Sequence, residues 1–237
     1  MLPSIGRAQD PSQPVAVDTE HIFGFTEGAD IGGKGEAELE NTTTVLFGRP
    51  GRSSEFNNET AFRYGVEEHF RASIGVFTDY CSSLTFGGLS SEFRWQASSS
   101  ENAPLGLTLS FAPQWQRIDG QRVQSYSLPI ALLADTAFVP NTTFAAFNLT
   151  YSPAFTRMSS TSQLEQPLEI SQAFATAIAD RIFAGAEIRH VTRNQDGFFS
   201  GHALFVGPSV FAKLSDNVSL KPAWSAQIPD ETTGVSI

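Results

Sequence analysis

The sequence predicts an all-β fold, an antiparallel up-and-down transmembrane β-barrel of about 12 strands when complete, with its last strand missing here. Three observations predict it. Apolar and polar residues alternate with period two almost throughout. Most alternating runs reach about ten residues, whereas strands of globular sheets average about five or six and a membrane-spanning strand needs about nine to eleven. Long and short connections mostly alternate, as in outer-membrane barrels, with short periplasmic turns and longer external loops.

Eleven segments carry the alternation, at roughly 36–48, 55–66, 69–80, 88–97, 104–116, 123–133, 143–156, 168–178, 182–193, 202–213 and 218–228. In the first, Glu36, Glu38, Glu40, Thr42 and Thr44 stand on one face, with Ala37, Leu39, Val45 and Phe47 on the other. From Phe70, one face reads Phe70, Ala72, Ile74, Val76 and Tyr80, and Phe77 breaks the opposite one. Leu89, Phe93, Trp95 and Ala97 stand against Ser90, Glu92, Arg94 and Gln96. Leu105, Leu107, Leu109, Phe111, Pro113 and Trp115 form one face of the fifth segment, and Val218, Leu220, Pro222, Trp224, Ala226 and Ile228 one face of the last.

The connections GRPGRSS, CSSLTFGG, RMSSTSQLEQP and RNQDGFFSG read as long, and ADTAFVPN is an exception in length. Glu67-Glu68, Ala179-Asp180-Arg181 and Ser215-Asp216-Asn217 read as tight. With GRPGRSS outside, odd segments run outward and the eleventh ends in an external loop. A closing twelfth strand is then expected, because bacterial barrels close with an even number. Residues 1–20 read as the remnant of a signal peptide and an irregular N-terminus. Residues 21–35 read as a periplasmic or lumenal lead-in, a partial plug, and 36–237 as the barrel.

Composition narrows the class. The chain has 237 residues and a formal charge of −10, which argues against nucleic acid, whose phosphates need a cationic face. Charged residues make up only 17 % against 20 phenylalanines, where a soluble domain carries roughly a quarter charged residues. The single cysteine, Cys81, allows no intramolecular disulfide and reads as a small packed residue. No apolar run approaches the roughly 18 residues of a membrane helix.

The stretch HIFGFTEGADIGGKGE, His21 to Glu36, followed by alternating strands, resembles a porin-like outer-membrane β-barrel family of Gram-negative bacteria. Its members open with an FGFTEGADIG-KGE stretch, here Phe23 to Glu36. The resemblance implies the location, the barrel and a closing strand, and names no substrate.

The lumen face is expected to carry Glu36, Glu38, Glu40, Glu59, Arg63, Arg71, Glu92, Arg94, Glu187, Arg189 and Lys221. In Glu92/Arg94 and Glu187/Arg189 opposite charges stand two apart on one face. The set reads equally as a charged constriction and as an internal ion-pair ladder that holds the wall and fills the bore. Phe47, Tyr80, Trp115, Phe155 and Trp224, with Phe56 and Tyr126, read as membrane-interface aromatics. His190 falls on the outward face near a strand end. Some twelve-stranded barrels are lipases with an outward histidine and serine, but Thr192 stands where serine is wanted, so no catalytic residue is assigned. No metal-ligand spacing occurs, and the glycines and Asp30 of the lead-in fit neither a calcium loop nor a phosphate loop. No cofactor is expected.

The reading is a porin-like channel, weakly cation-preferring, for passive passage of small polar solutes, partnered by outer-membrane lipid. A plugged structural or adhesive barrel working through loops 157–167 and 193–201 is the alternative, followed by a soluble secreted β-sandwich binding protein. No strand face looks too polar for lipid, so oligomeric state is left open.

Overall fold

The computed structural model describes residues 18–47, 55–80, 84–118, 123–157 and 161–228. Sixteen strands form one antiparallel sheet among them: β1 (Ala37–Leu46), β2 (Glu55–Glu67), β3 (Phe70–Tyr80), β4 (Leu84–Ser98), β5 (Gly106–Phe111), β6 (Gln114–Ile118), β7 (Val123–Ser127), β8 (Ile130–Val139), β9 (Thr143–Tyr151), β10 (Ala154–Arg157), β11 (Ser162–Glu165), β12 (Leu168–Ala179), β13 (Ile182–Gln195), β14 (Phe198–Ser215), β15 (Val218–Leu220) and β16 (Ala226–Ile228). The protein is all-β and antiparallel, as the alternation predicts.

Sixteen strands reduce to eleven hydrogen-bonded runs, because five runs are each interrupted near a proline. Proline has no N–H to give a ladder. Pro113, Pro129, Pro153 and Pro167 fall on four neighbouring runs and split β5 from β6, β7 from β8, β9 from β10 and β11 from β12. The ladder is carried across the gap by each proline's carbonyl. Ser91 N–H donates to Pro113 O (3.0 Å), Ala112 to Pro129 (2.9 Å), Leu128 to Pro153 (2.9 Å) and Ser152 to Pro167 (3.0 Å). Pro222 separates β15 from β16 in the same way, its carbonyl accepting from Val210 N–H at 3.0 Å.

The runs coincide with the eleven predicted segments, but several connections read as long are strand. Residues 193–201 hold the ends of β13 and β14 and a turn at Asp196-Gly197. Both turn residues have positive φ (50° and 85°), the requirement of a type I′ hairpin whose twist matches the strands. Val139 pairs with Thr143, so ADTAFVPN is tight, and β11 occupies part of RMSSTSQLEQP. At β11 and at the end of β13 polar residues carry the strand, and periodicity in apolar residues does not see them; β8 instead continues through Ala137, Phe138 and Val139. The alternation of connection length is therefore weaker than predicted. Residues 48–54 and 81–83, with Cys81, lie outside the described residues.

Burial is inverted relative to a soluble sheet. Leu39 (73 % exposed), Ile74 (61 %) and Ile178 (64 %) lie on the outer face, while Arg94 (2 %), Asp135 (2 %) and Glu187 (5 %) are buried. What buries them is residues 19–32. This segment touches the inner faces of β2, β3, β4, β5, β8, β13 and β14, so the sheet curls around it. Ile22 and Phe23 pack on Phe144, Ala146, Ala173, Ala175, Phe183 and Phe211. The free edges approach across the concave side, where Lys221 Nζ lies 3.6 Å from Glu40 Oε1. Among the described residues β1 has a ladder partner only in β2.

The Asp196-Gly197 turn yields one prediction. Gly197→Ala places a Cβ at φ 85° and should cost about 1 kcal/mol of unfolding free energy. Urea unfolding in detergent checks it; an unchanged midpoint would rule out the I′ geometry.

Candidate functional site

The site is the contact between residues 19–32 and the sheet wall. Its centre is Glu20, 2 % exposed. Arg71 on β3 and Arg94 on β4 stand directly opposite each other in register, a like-charge pair that destabilises a sheet. Arg63 lies beside them on β2. Glu20 answers all three: its carboxylate accepts from Arg63 Nη1 (2.8 Å), from Arg94 Nη1 (3.0 Å) and from both terminal nitrogens of Arg71. Glu27 takes Arg94 Nη2, and Glu92 takes Arg94 Nε at 2.8 Å and the Ser110 hydroxyl at 2.6 Å. Glu40 pairs with Arg63 Nη2.

His21 joins the same network from the other side. Its Nε2 lies 2.9 Å from Glu38, 3.5 Å from Asp18 and 3.9 Å from Glu20. Burial alone lowers an imidazole's pKa; here the hydrogen bond that His21 donates to Glu38 and the charges of Glu20 and Asp18 outweigh it and raise His21 to about 9. Ligand atoms of Asp18, Glu20 and His21 fall within 4.8 Å of one another. The arginines already occupy Glu20 and Glu38 holds His21, so the group has its cations without a metal.

Two further wall carboxylates bind the lead-in's backbone. Glu187 accepts from the N–H groups of Gly24, Phe25 (2.8 Å) and Thr26 (2.6 Å). A side chain on Gly24 is impossible here, since its Cβ would lie 2.3 Å from Ala223 Cβ. Asp135 accepts from Ala29 N–H (2.9 Å) and from the Thr19 hydroxyl. Gln96 and Thr108 donate to Ala29 O, the former at 2.9 Å. Asn148, in the amide orientation that satisfies both groups, pairs with the N–H and C=O of Glu27 at 2.8 and 2.9 Å. An irregular segment carries unpaired backbone groups, and these side chains replace the ladder it does not have.

The predicted lumen residues thus sit largely where expected but face the chain's own segment. Glu38, Glu40, Arg63, Arg71, Glu92, Arg94 and Glu187 come together around residues 19–32. Glu36 is exposed and accepts from Gly33 N–H at 2.8 Å, and Glu36, Glu38 and Glu40 all line the open space beside β1. Glu187 and Arg189 do not pair with each other. Arg189 forms a two-pronged bond to Glu169 (2.9 and 2.9 Å) and lies 4.8 Å from the Phe25 ring centre. Glu59 accepts from the Ser90 hydroxyl and has no ion pair among the described residues. Glu20, Glu27, Asp135 and Glu169 were missed. Glu20 lies in the 1–20 stretch read as a signal-peptide remnant and irregular N-terminus, yet it is buried inside the sheet; Glu27 lies in the lead-in, and Asp135 interrupts an apolar run, which was the available signal.

Of the aromatics, Phe47 is 72 % and Trp224 61 % exposed on the outer face. Trp115, Tyr126 and Phe155 are register neighbours on adjacent strands, and the Trp115 ring lies tilted against Phe86 with centroids 5.9 Å apart. Trp224 sits mid-run, its N–H bonded to Pro208 O at 3.1 Å, not at a strand end. The Tyr80 side chain lies outside the described residues. His190 Nε2 lies 3.4 Å from His202 Nδ1 on the neighbouring strand.

Two cavities flank the segment. One of about 2420 Å³ runs between β1, the segment and β14 to β16. The other, about 240 Å³, lies against the inner faces of β2, β4, β5 and β12. Phe25, Glu27, Glu40, Glu59 and Arg63 line both.

Two predictions follow from this geometry. Glu20→Ala leaves three guanidiniums without their shared acceptor and should cost about 3 kcal/mol or more; an unchanged stability would contradict the network. His21 contributes fully below its unfolded pKa of about 6.5 and loses its contribution as pH rises through about 9. Protease protection of residues 19–32 should therefore weaken above pH 9 in the wild type. In His21→Ala that step should vanish.

A search of curated proteins returns no match. The model of a family of unknown function, DUF6662, matches residues 15–234, and the chain belongs to that family.

Proposed function

We propose that the chain is a transmembrane β-barrel of the Gram-negative outer membrane that passes small polar solutes, cations by preference, beside an internal segment. The observation that carries this reading is the inverted burial. A sheet with Leu39, Ile74 and Ile178 outward and Arg94, Asp135 and Glu187 inward suits a lipid solvent and a polar interior. In water so much outward apolar surface marks an interaction face or an aggregation hazard.

The passage is the hydrated space where the two cavities share their lining. Glu27, Glu40, Glu59 and Arg63 face it; Glu27 is paired with Arg94 and Glu40 with Arg63 and Lys221, and among the described residues no ion pair offsets Glu59. A constriction ringed by carboxylates favours cations. Glu187 sets the width on the segment's side by gripping Gly24, Phe25 and Thr26.

Planar-bilayer recording tests this. The wild type should give small discrete steps with cation preference. Glu59→Gln should bring the cation-to-anion permeability ratio close to unity, and Glu187→Gln should enlarge the steps. The apolar packing of Phe23 favours a second reading, a permanently plugged structural barrel. A folded protein that stays silent both as wild type and as Glu187→Gln would establish that reading and sink the channel.

A further inference from the structure

Among the described residues, β1 to β3 carry a polar island on their outer face. On β1 and β2 the outward residues run Leu39, Asn41, Thr43, Val45 and Phe62, Thr60, Asn58, Phe56 in register. Thr78 on β3 stands opposite Asn58. Two amides and three hydroxyls therefore lie between an apolar row of Leu39, Phe62 and Ile74 and another of Val45 and Phe56, all five exposed.

The island is internally ordered. Asn41 Nδ2 donates to Asn58 Oδ1 (3.1 Å) and Thr60 Oγ1 (2.7 Å). Asn58 Nδ2 donates to Asn41 Oδ1 (3.0 Å) and Thr43 Oγ1 (2.8 Å), and Thr78 Oγ1 donates to Asn58 Oδ1 (3.2 Å). The amide protons are spent. Among the described residues no acceptor takes the hydroxyl protons of Thr43 and Thr60, both of which are exposed.

We infer that this face, β1 to β3, is where a second copy of the chain docks, an inference that rests on the membrane reading above. Hydrocarbon offers no partner for hydroxyl groups, and apolar residues above and below the island place it away from the headgroups. Two copies in one membrane share an orientation, so a twofold axis along the membrane normal sets this face against itself. Such a contact needs donors and acceptors on one surface, and threonine hydroxyls are both. The flanking Leu39, Phe62, Val45 and Phe56 supply the apolar contact around them. Periodicity does not single the island out, because Asn and Thr interrupt the outward face of β1 without placing a charge there.

The test is the sedimentation mass of the full chain folded in detergent micelles. The wild type should show twice the 25.7 kDa chain mass. Thr43→Val with Thr60→Val, nearly the same shape, should weaken the dimer by about tenfold and leave the far-ultraviolet spectrum unchanged. Independently, Thr43→Cys on a Cys81→Ser background should form disulfide-linked pairs on oxidation, while Leu132→Cys on that background should not. A folded wild-type monomer, or a dimer indifferent to the valines and uncrosslinked through residue 43, overturns the interface alone. A chain that folds and stays soluble without detergent overturns the membrane reading and the interface with it.

Discussion

Three arginines on adjacent strands, Arg71 and Arg94 buried and Arg63 half-buried, need one shared carboxylate, and the strands do not supply it. Arg71 and Arg94 oppose each other in register, with Arg63 one strand away. Glu92 and Glu40 answer part of this charge from the wall, but the shared acceptor is Glu20, the residue just before the lead-in. A buried guanidinium without a partner is among the costlier defects a protein can hold. The wall and residues 19–32 are therefore one electrostatic unit. The rest of the contact follows from fixing Glu20: His21 reaches Glu38 on β1, Phe23 drops into the Phe144–Phe183–Phe211 cluster, and the backbone from Gly24 to Thr26 lands on Glu187.

That unit explains why the apolar residues face outward. The inner face is committed to binding a polar segment, so its walls carry arginine, glutamate, asparagine and serine at alternate positions, and the side chains between them point away. In a soluble sandwich the same alternation would send the apolar face inward against a second sheet. Here the concave face is occupied by the charged set and its segment, and the apolar face is left for another environment. On the proposed reading that environment is lipid, except at the Asn41–Asn58 island.

Much of this was legible in the sequence. Period two located all eleven runs, and the alternation of Glu36, Glu38 and Glu40 with Ala37 and Leu39 set the faces of β1. The irregular lead-in at 21–35 was also legible, because a strand at 21–27 would start on the external side, away from the expected periplasmic N-terminus. The partners were not. Glu187 and Arg189 are two apart and invite pairing, yet each finds a better partner on another element, and sequence distance carries no information about that. Loop lengths misled where polar residues extended the strands, at β11 and at the Asp196-Gly197 hairpin. The proline row was visible as four separate prolines; only the register shows that they are neighbours.

The central claim of the proposed reading is that the period-two alternation divides lipid from a polar interior. Fluorescent labels placed singly at Ile74 and at Ser73, on a Cys81→Ser background in liposomes, test it most directly through quenching by lipid-borne and water-borne quenchers. The account predicts that the label at 74 is quenched from the lipid phase and the label at 73 is not. Equal quenching of both labels from water, with none from lipid, would contradict it.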